Sequence, residues 1–152
     1  SFKGASKRLE KIAETSSAVA YKDFAHSPSK VSATTQAVKK QYPNKKLVAC
    51  LELHTYSSLN AEFLTEYQGA LDAADVAVVF YSPDAVAIKK LDEVTKEQIE
   101  QAFNRENLIV YTNPEEFKSF LVVQDFTDSV LLLMSSGNYG GLNFDEVQGI
   151  IE

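Results

Sequence analysis

The sequence predicts an α/β domain: an open sheet of about five to six mostly parallel strands with helices on both faces. Three observations predict it. Short runs rich in β-branched residues recur along the chain and are apolar throughout, as strands covered on both faces are. Amphipathic stretches opened by helix-start signals lie between them. The chain also has 152 residues, 45% of them hydrophobic, enough for one domain with a substantial core.

The first twenty residues fit the alternation least well. Phe2 to Leu9 reads as a lead-in, and Arg8–Ile12 is expected to pair with Ala18–Asp23 as a hairpin at one sheet edge, so that 1–20 serves a single domain spanning 1–152. The strand over Ala18–Phe24 is followed by Ser27-Pro28, an N-cap and a proline at the first helical position. Val31, Thr34, Val38 and Tyr42 then line one helix face. Leu47–Leu53 is the next strand and Val76–Tyr81 the one after it. Thr95 with Gln98 makes a capping box ahead of Ile99, Ala102 and Phe103. A strand at Leu108–Tyr111 leads to Asn113-Pro114-Glu115-Glu116, a second start signal, ahead of Phe117, Phe120 and Leu121. Val130–Met134 is the last strand, and Asn143 with Glu146 is placed to cap a final helix carrying Val147, Ile150 and Ile151.

Charge and composition exclude several classes. A formal charge of -6 argues against nucleic acid or an anionic membrane as the main partner, since both call for concentrated basic surface. The one lysine cluster, Lys39, Lys40, Lys45 and Lys46, reads as a solvated helix end and turn. Cys50 is the single cysteine, so no intrachain disulfide or cysteine metal cage can form, and its apolar run LVACLEL predicts a buried, inert thiol. No run approaches a membrane span and no secretory leader is recognisable, which leads to the expectation of a cytoplasmic protein. The chain starts at Ser1 and its only methionine is Met134, which suggests a piece of something longer.

Chemistry in an open α/β sheet is expected beyond the C-terminal strand ends. The loop 23–27 holds Asp23, His26 and Ser27. Asp23 could accept hydrogen bonds from a sugar diol and His26 could meet a base, or Asp23 and Ser27 could simply tie up turn and helix-start amides. The residues leave both open. The loop LELHTYSSLN gathers Glu52, His54, Tyr56, Ser57 and Ser58, either for a polar ligand or as a solvated loop whose serines or Asn60 cap the next helix. His26 and His54 would be neighbours if their strands pair, but no metal-ligand spacing accompanies them. The loop MSSGNYGGLNFDE, with Ser135, Ser136, Asn138 and Tyr139, is glycine-rich enough for close backbone approach to a ligand, including an anion at the helix start. No phosphate-loop pattern and no G-x-S-x-G occurs.

Taken together, "SFKGASKRLE", "YKDFAHSPSKVSATTQAV", "LELHTYSS" and "LLLMSSGNYGGLNFDE" resemble, in order and spacing, the C-terminal domain of the Mur ligases. The branch most similar contains the UDP-N-acetylmuramate–L-alanine ligases and the murein peptide ligases. Within it, "FKG…KRLE" and "SSGNYGGL" favour the ligases that recycle the tripeptide L-alanyl-γ-D-glutamyl-meso-diaminopimelate. The resemblance implies a Rossmann-like domain that closes over ATP and brings in the amine substrate of an ATP-dependent amide ligase. N-terminal and central domains of a parent chain would hold UDP-N-acetylmuramate, the phosphate loop and magnesium, leaving the isolated domain inactive. It further implies that Asp23 and His26, in the family's D-x-x-H-x-P segment, face the nucleotide, with Ser27 beside them. Ser135, Ser136, Asn138 and Tyr139 would face the incoming amine, as would His54 and Tyr56. Departures from the family pattern are Ser27, where relatives often carry a second histidine, and Thr55 and Ser58, where alanine-adding relatives carry arginines. L-Alanine or a folate-type glutamate acceptor are the other substrates the resemblance allows. Outside the family, a flavodoxin-like binding module with a phosphate at 137–141 is the competing expectation.

Overall fold

The computed structural model describes residues 9–54, 60–83 and 94–152. Its centre is a six-stranded sheet in the order β1-β2-β6-β3-β4-β5. β1 (Glu10–Glu14) runs antiparallel to β2 (Val19–Asp23), with an irregularity between Lys11 and Ala13. β2, β6 (Ser129–Met134), β3 (Lys46–Glu52), β4 (Val76–Phe80) and β5 (Ile109–Tyr111) are parallel. β6, the last strand in sequence, therefore lies between β2 and β3, and the strands carrying the His26 and His54 loops do not pair.

The strand interiors are apolar because both faces are covered. From β3, Leu47, Ala49 and Leu51 enter one core layer with Val130, Leu132 and Met134 of β6. Val48 and Cys50 enter the other with Leu131 and Leu133, as the two-residue strand period requires. α1 (Pro28–Gln41), α2 (Ala61–Leu64) with the 3₁₀ turn Thr65–Tyr67, and α3 (Lys96–Phe103) cover the first face through Val31, Val38, Leu64, Tyr67, Ile99 and Phe103. α4 (Pro114–Val123) and α5 (Val147–Ile151) cover the second through Phe117, Leu121, Val147 and Ile151.

The start signals mostly behave as their chemistry dictates. Thr95 and Gln98 form the reciprocal capping box, and Asn113 accepts the Glu115 and Glu116 amides. Asn60 accepts the Glu62 and Phe63 amides, so the turn-capping reading holds for that residue. Two differ. Ser27 occupies the N-cap position without a side-chain capping bond, and Asn143 caps a 3₁₀ turn, Phe144–Glu146, rather than α5 directly. The lysines are less idle than a solvated cluster. Lys39 Nζ donates to the Lys45 carbonyl and Asp75, Lys45 Nζ to the Ser17 carbonyl at 2.7 Å, and Lys46 Nζ to the Asp125 carbonyl at 3.3 Å. Among the described residues no helix is long and apolar enough to cross a membrane.

Candidate functional site

The helices that follow β2 and β3, α1 and α2, pack on one face of the sheet, while α5, after β6, packs on the other. The chain thus reverses its face on both sides of β6, and such a switch point is where open α/β sheets take ligands. Register brings the three strand ends level: Asp23 pairs with Met134, and Met134 with Leu51.

Ser135 joins the three ends. Its amide donates to the Asp23 carbonyl at 3.0 Å, and its hydroxyl donates to Glu52 Oε1 at 2.5 Å. Glu52 is 3% exposed, and the same oxygen also accepts the Tyr139 amide at 2.8 Å. Glu52 Oε2 lies 3.6 Å from Nδ1 of His54, whose side chain is 45% exposed. Gly137 caps this group from above: a Cβ there would sit 3.2 Å from both Glu52 Oε1 and the His54 ring. A buried carboxylate costs several kcal/mol unless its oxygens are well bonded, on the order of the desolvation penalty of one ion. Glu52 meets that condition at Oε1, through one hydroxyl and one amide, while Oε2 faces the His54 ring. Its signal in the sequence was a lone acid inside LVACLEL, where every neighbour is apolar.

At the end of β2, Asp23 is 3% exposed and its Oδ2 accepts the Ala25 amide at 2.8 Å. Thr34 Oγ1 lies 3.5 Å from the same oxygen. Asp23 therefore shapes the turn, whatever else it meets. His26 Nδ1 lies 2.9 Å from the Phe24 carbonyl; a carbonyl only accepts, so Nδ1 carries the proton and Nε2 is left as an acceptor. The His26 carbonyl in turn accepts the Tyr67 hydroxyl. Phe24 is 51% exposed and meets the His26 ring edge-on at 5.4 Å, an open aromatic pair that residue spacing did not single out. Ser27 stands half-buried beside them.

The β6 loop divides its expected residues. Tyr139 differs from the expectation: it is a core residue, 1% exposed, and its ring packs inward rather than toward the loop surface. It stacks on Phe117 at 4.8 Å, and its hydroxyl lies 2.9 Å from the Cys50 carbonyl and 2.8 Å from that of Met134. These contacts hold it at φ 58, where a bulky residue is rarely found. Burial, with Cys50 and Glu52 nearby, pushes its phenol well above the ordinary range. Asn138 is exposed, and its Oδ1 accepts the Gly141 amide at 3.1 Å within the turn. The Ser136 hydroxyl is buried without a hydrogen-bond partner among the described residues, so a polar ligand could supply one. Tyr56, with Thr55, Ser57 and Ser58, lies outside the described residues.

The same loop is poorly built for an anion. The Gly137 amide donates to Ser135 Oγ, the Tyr139 amide to Glu52, and the Gly141 amide to Asn138. The turn that follows opens with Asp145 and Glu146, whose charges oppose an anion there. Among the described residues no three His, Cys, Asp or Glu side chains converge as a metal site. Cys50 is fully buried and its thiol is pushed up by burial, as an inert core cysteine should be.

A solved murein peptide ligase from Psychrobacter arcticus is similar in fold, with a TM-score of 0.72 at 17% identity, over 94% of this chain and 29% of that one. A crystallised domain from Haemophilus ducreyi, provisionally assigned as a UDP-N-acetylmuramate:L-alanyl-gamma-D-glutamyl-diaminopimelate ligase, matches with a TM-score of 0.60 at 24% identity. That match covers 93% of this chain and 96% of that one. In sequence, a UDP-N-acetylmuramate–L-alanine ligase from Agathobacter rectalis is 29% identical over 141 residues, 90% of this chain. The chain spans 30% of the length of that relative. The family model for the Mur ligase, glutamate ligase domain, matches residues 7–137. With that match across most of its length, and with the strand ends gathered around β6, the chain belongs to the Mur ligase glutamate ligase domain family.

Proposed function

We propose that this chain is the C-terminal, closing domain of an ATP-dependent amide ligase in peptidoglycan recycling or synthesis. Its parent joins UDP-N-acetylmuramate to the tripeptide L-alanyl-γ-D-glutamyl-meso-diaminopimelate. The observation that carries the reading is the family match over 7–137. The muramyl carboxylate takes the γ-phosphoryl group of ATP, releasing ADP; the tripeptide amine attacks the acyl carbon, inorganic phosphate leaves and the amine gives up a proton. A hydrolysable acyl phosphate needs water kept out, which is what a closing domain contributes.

In this reading Asp23, His26 and Ser27 meet the nucleotide, with Phe24 offering an aromatic face beside His26. His54, Ser135, Ser136 and Asn138 meet the amine substrate, and Tyr139 only shapes their loop. The UDP-sugar, the ATP phosphates and magnesium belong to N-terminal and central domains of the parent. In this reading the domain's contribution is positioning of the reacting groups.

L-Alanine as the amine is the second reading, favoured by the name of the Agathobacter rectalis relative. ADP release by the full-length parent, given ATP, magnesium and UDP-N-acetylmuramate, separates the two. Release that requires the tripeptide supports the recycling ligase; release only with L-alanine replaces it. Silence with both amines would overturn the ligase reading.

A further inference from the structure

We propose that Glu52 is a positioning residue whose single buried carboxylate sets both the β6 loop and the His54 side chain. Oε1 anchors the β6 loop, and Oε2 aims His54 so that its Nε2 faces outward as an acceptor for an amine or amide N–H. The proposal rests on the reading above, in which these loops meet the amine substrate.

Three observations carry it. Glu52 closes β3 at a position where an apolar residue would cost less, and yet a carboxylate is kept 3% exposed. Its Oε1 accepts from two groups far away in sequence, the Ser135 hydroxyl and the Tyr139 amide, so one atom determines where the β6 loop begins and where it turns. Its Oε2 faces Nδ1 of His54 at 3.6 Å. That distance is too long for a hydrogen bond, but a charge so placed favours the N–H dipole pointing toward it. The proton then resides on Nδ1 and the lone pair on Nε2, the edge away from Glu52. Free imidazole side chains prefer the opposite tautomer, so Glu52 makes a specific choice. Gly137 leaves room for the arrangement, since a Cβ there would press on both side chains at 3.2 Å. An acceptor facing the incoming amine suits a group that must lose a proton as it attacks.

Two measurements test this. The first is the ¹⁵N spectrum of histidine-labelled chain above the titration range of imidazole, with His54 assigned by loss of its signals in His54→Gln. A domain of this extent has been crystallised on its own in a relative, so the chain is a suitable sample. Wild type should carry the proton on Nδ1, Glu52→Gln should shift it toward Nε2, and Ser135→Ala should leave it on Nδ1 because Oε2 is untouched. An Nε2–H tautomer in the wild type, or no change in Glu52→Gln, overturns the proposal. Should Glu52→Gln fail to fold, the wild-type tautomer together with Ser135→Ala still decides.

The second is steady-state kinetics of the full-length parent. Glu52→Gln should raise KM for the amine substrate on the order of tenfold and leave KM for ATP unchanged, as expected for a mispositioned contact. An equal rise for every substrate would reduce Glu52 to a structural role. If the parent shows no ligase activity, the ligase reading fails and the tautomer result still judges Glu52.

Discussion

The Lys39 ammonium lies 2.8 Å from Asp75 Oδ2, and the same oxygen accepts the Leu47 amide at 2.7 Å. The pair ties the last turn of α1 to the entries of β3 and β4. Burial pushes the Asp75 carboxyl up, but the Leu47 amide, Lys39 and Arg105 outweigh it and hold its pKa below the ordinary 3.8. A folded-state value below the unfolded one contributes stability above the unfolded pKa, lost as pH falls through the folded one. Urea midpoints should therefore decline below about pH 4, and Asp75→Asn should flatten that decline. The side chain is 44% exposed, so the effect should be small and shrink further in salt. A decline of equal depth in Asp75→Asn would assign it to other carboxyls.

Tyr139→Phe tests the reassignment of a loop tyrosine to the core. It keeps the ring stacked on Phe117 but removes the hydroxyl shared by the Cys50 and Met134 carbonyls. Stability should fall by about 1–2 kcal/mol in urea titration, the cost of leaving buried acceptors unpaired. In the parent enzyme its KM for the amine should stay at the wild-type value. A large KM change without loss of stability would return Tyr139 to the substrate site.

Two glycines near the C-terminus should respond in opposite directions. Gly140 has φ +76 and a Cβ there would lie 2.7 Å from Pro114 Cγ at the start of α4, so Gly140→Ala should cost on the order of 2 kcal/mol. Gly149 lies exposed in α5, and a methyl added there would meet nothing within 4 Å, so Gly149→Ala should gain about 0.5–1 kcal/mol. Thermal or urea denaturation of the two variants checks both signs.

Asp23 has a structural task that any binding role must share. Asp23→Ala removes the acceptor for the Ala25 amide and should cost about 1–2 kcal/mol, while Asp23→Asn keeps an oxygen there and should cost less. A raised KM for ATP in Asp23→Asn, measured in the parent enzyme at near wild-type stability, would isolate nucleotide binding from turn formation. Unchanged ATP kinetics in both variants would leave Asp23 with the turn alone.

Much of the fold was legible because its signals are local. The five parallel strands begin and end within one residue of where their apolar runs placed them. Thr95, Gln98 and Asn113 cap helices through contacts only a few residues away. Strand order was not legible, because β6 pairs with strands about eighty and more residues earlier and nothing in its own composition names them. The site divides along the same line. A strand-end location for His26 and His54 follows from position, whereas the Glu52–Ser135 contact joins residues 83 apart. The expectation for Tyr139 came from the loop it shares with its neighbours in the family resemblance, and only the third dimension shows its ring buried against Phe117.

The middle of the sheet is filled by the strand made last. On a ribosome, β2 and β3 would emerge with a gap the width of one strand between them, and both would wait through some eighty further residues for β6 to close it. Until then the first half of the domain has unpaired edges and an open core, the state most exposed to chaperones and to mispairing. Once β6 inserts, the gap is filled and the loop it carries reaches Glu52, so the cluster at these strand ends comes into being only with the completion of the fold.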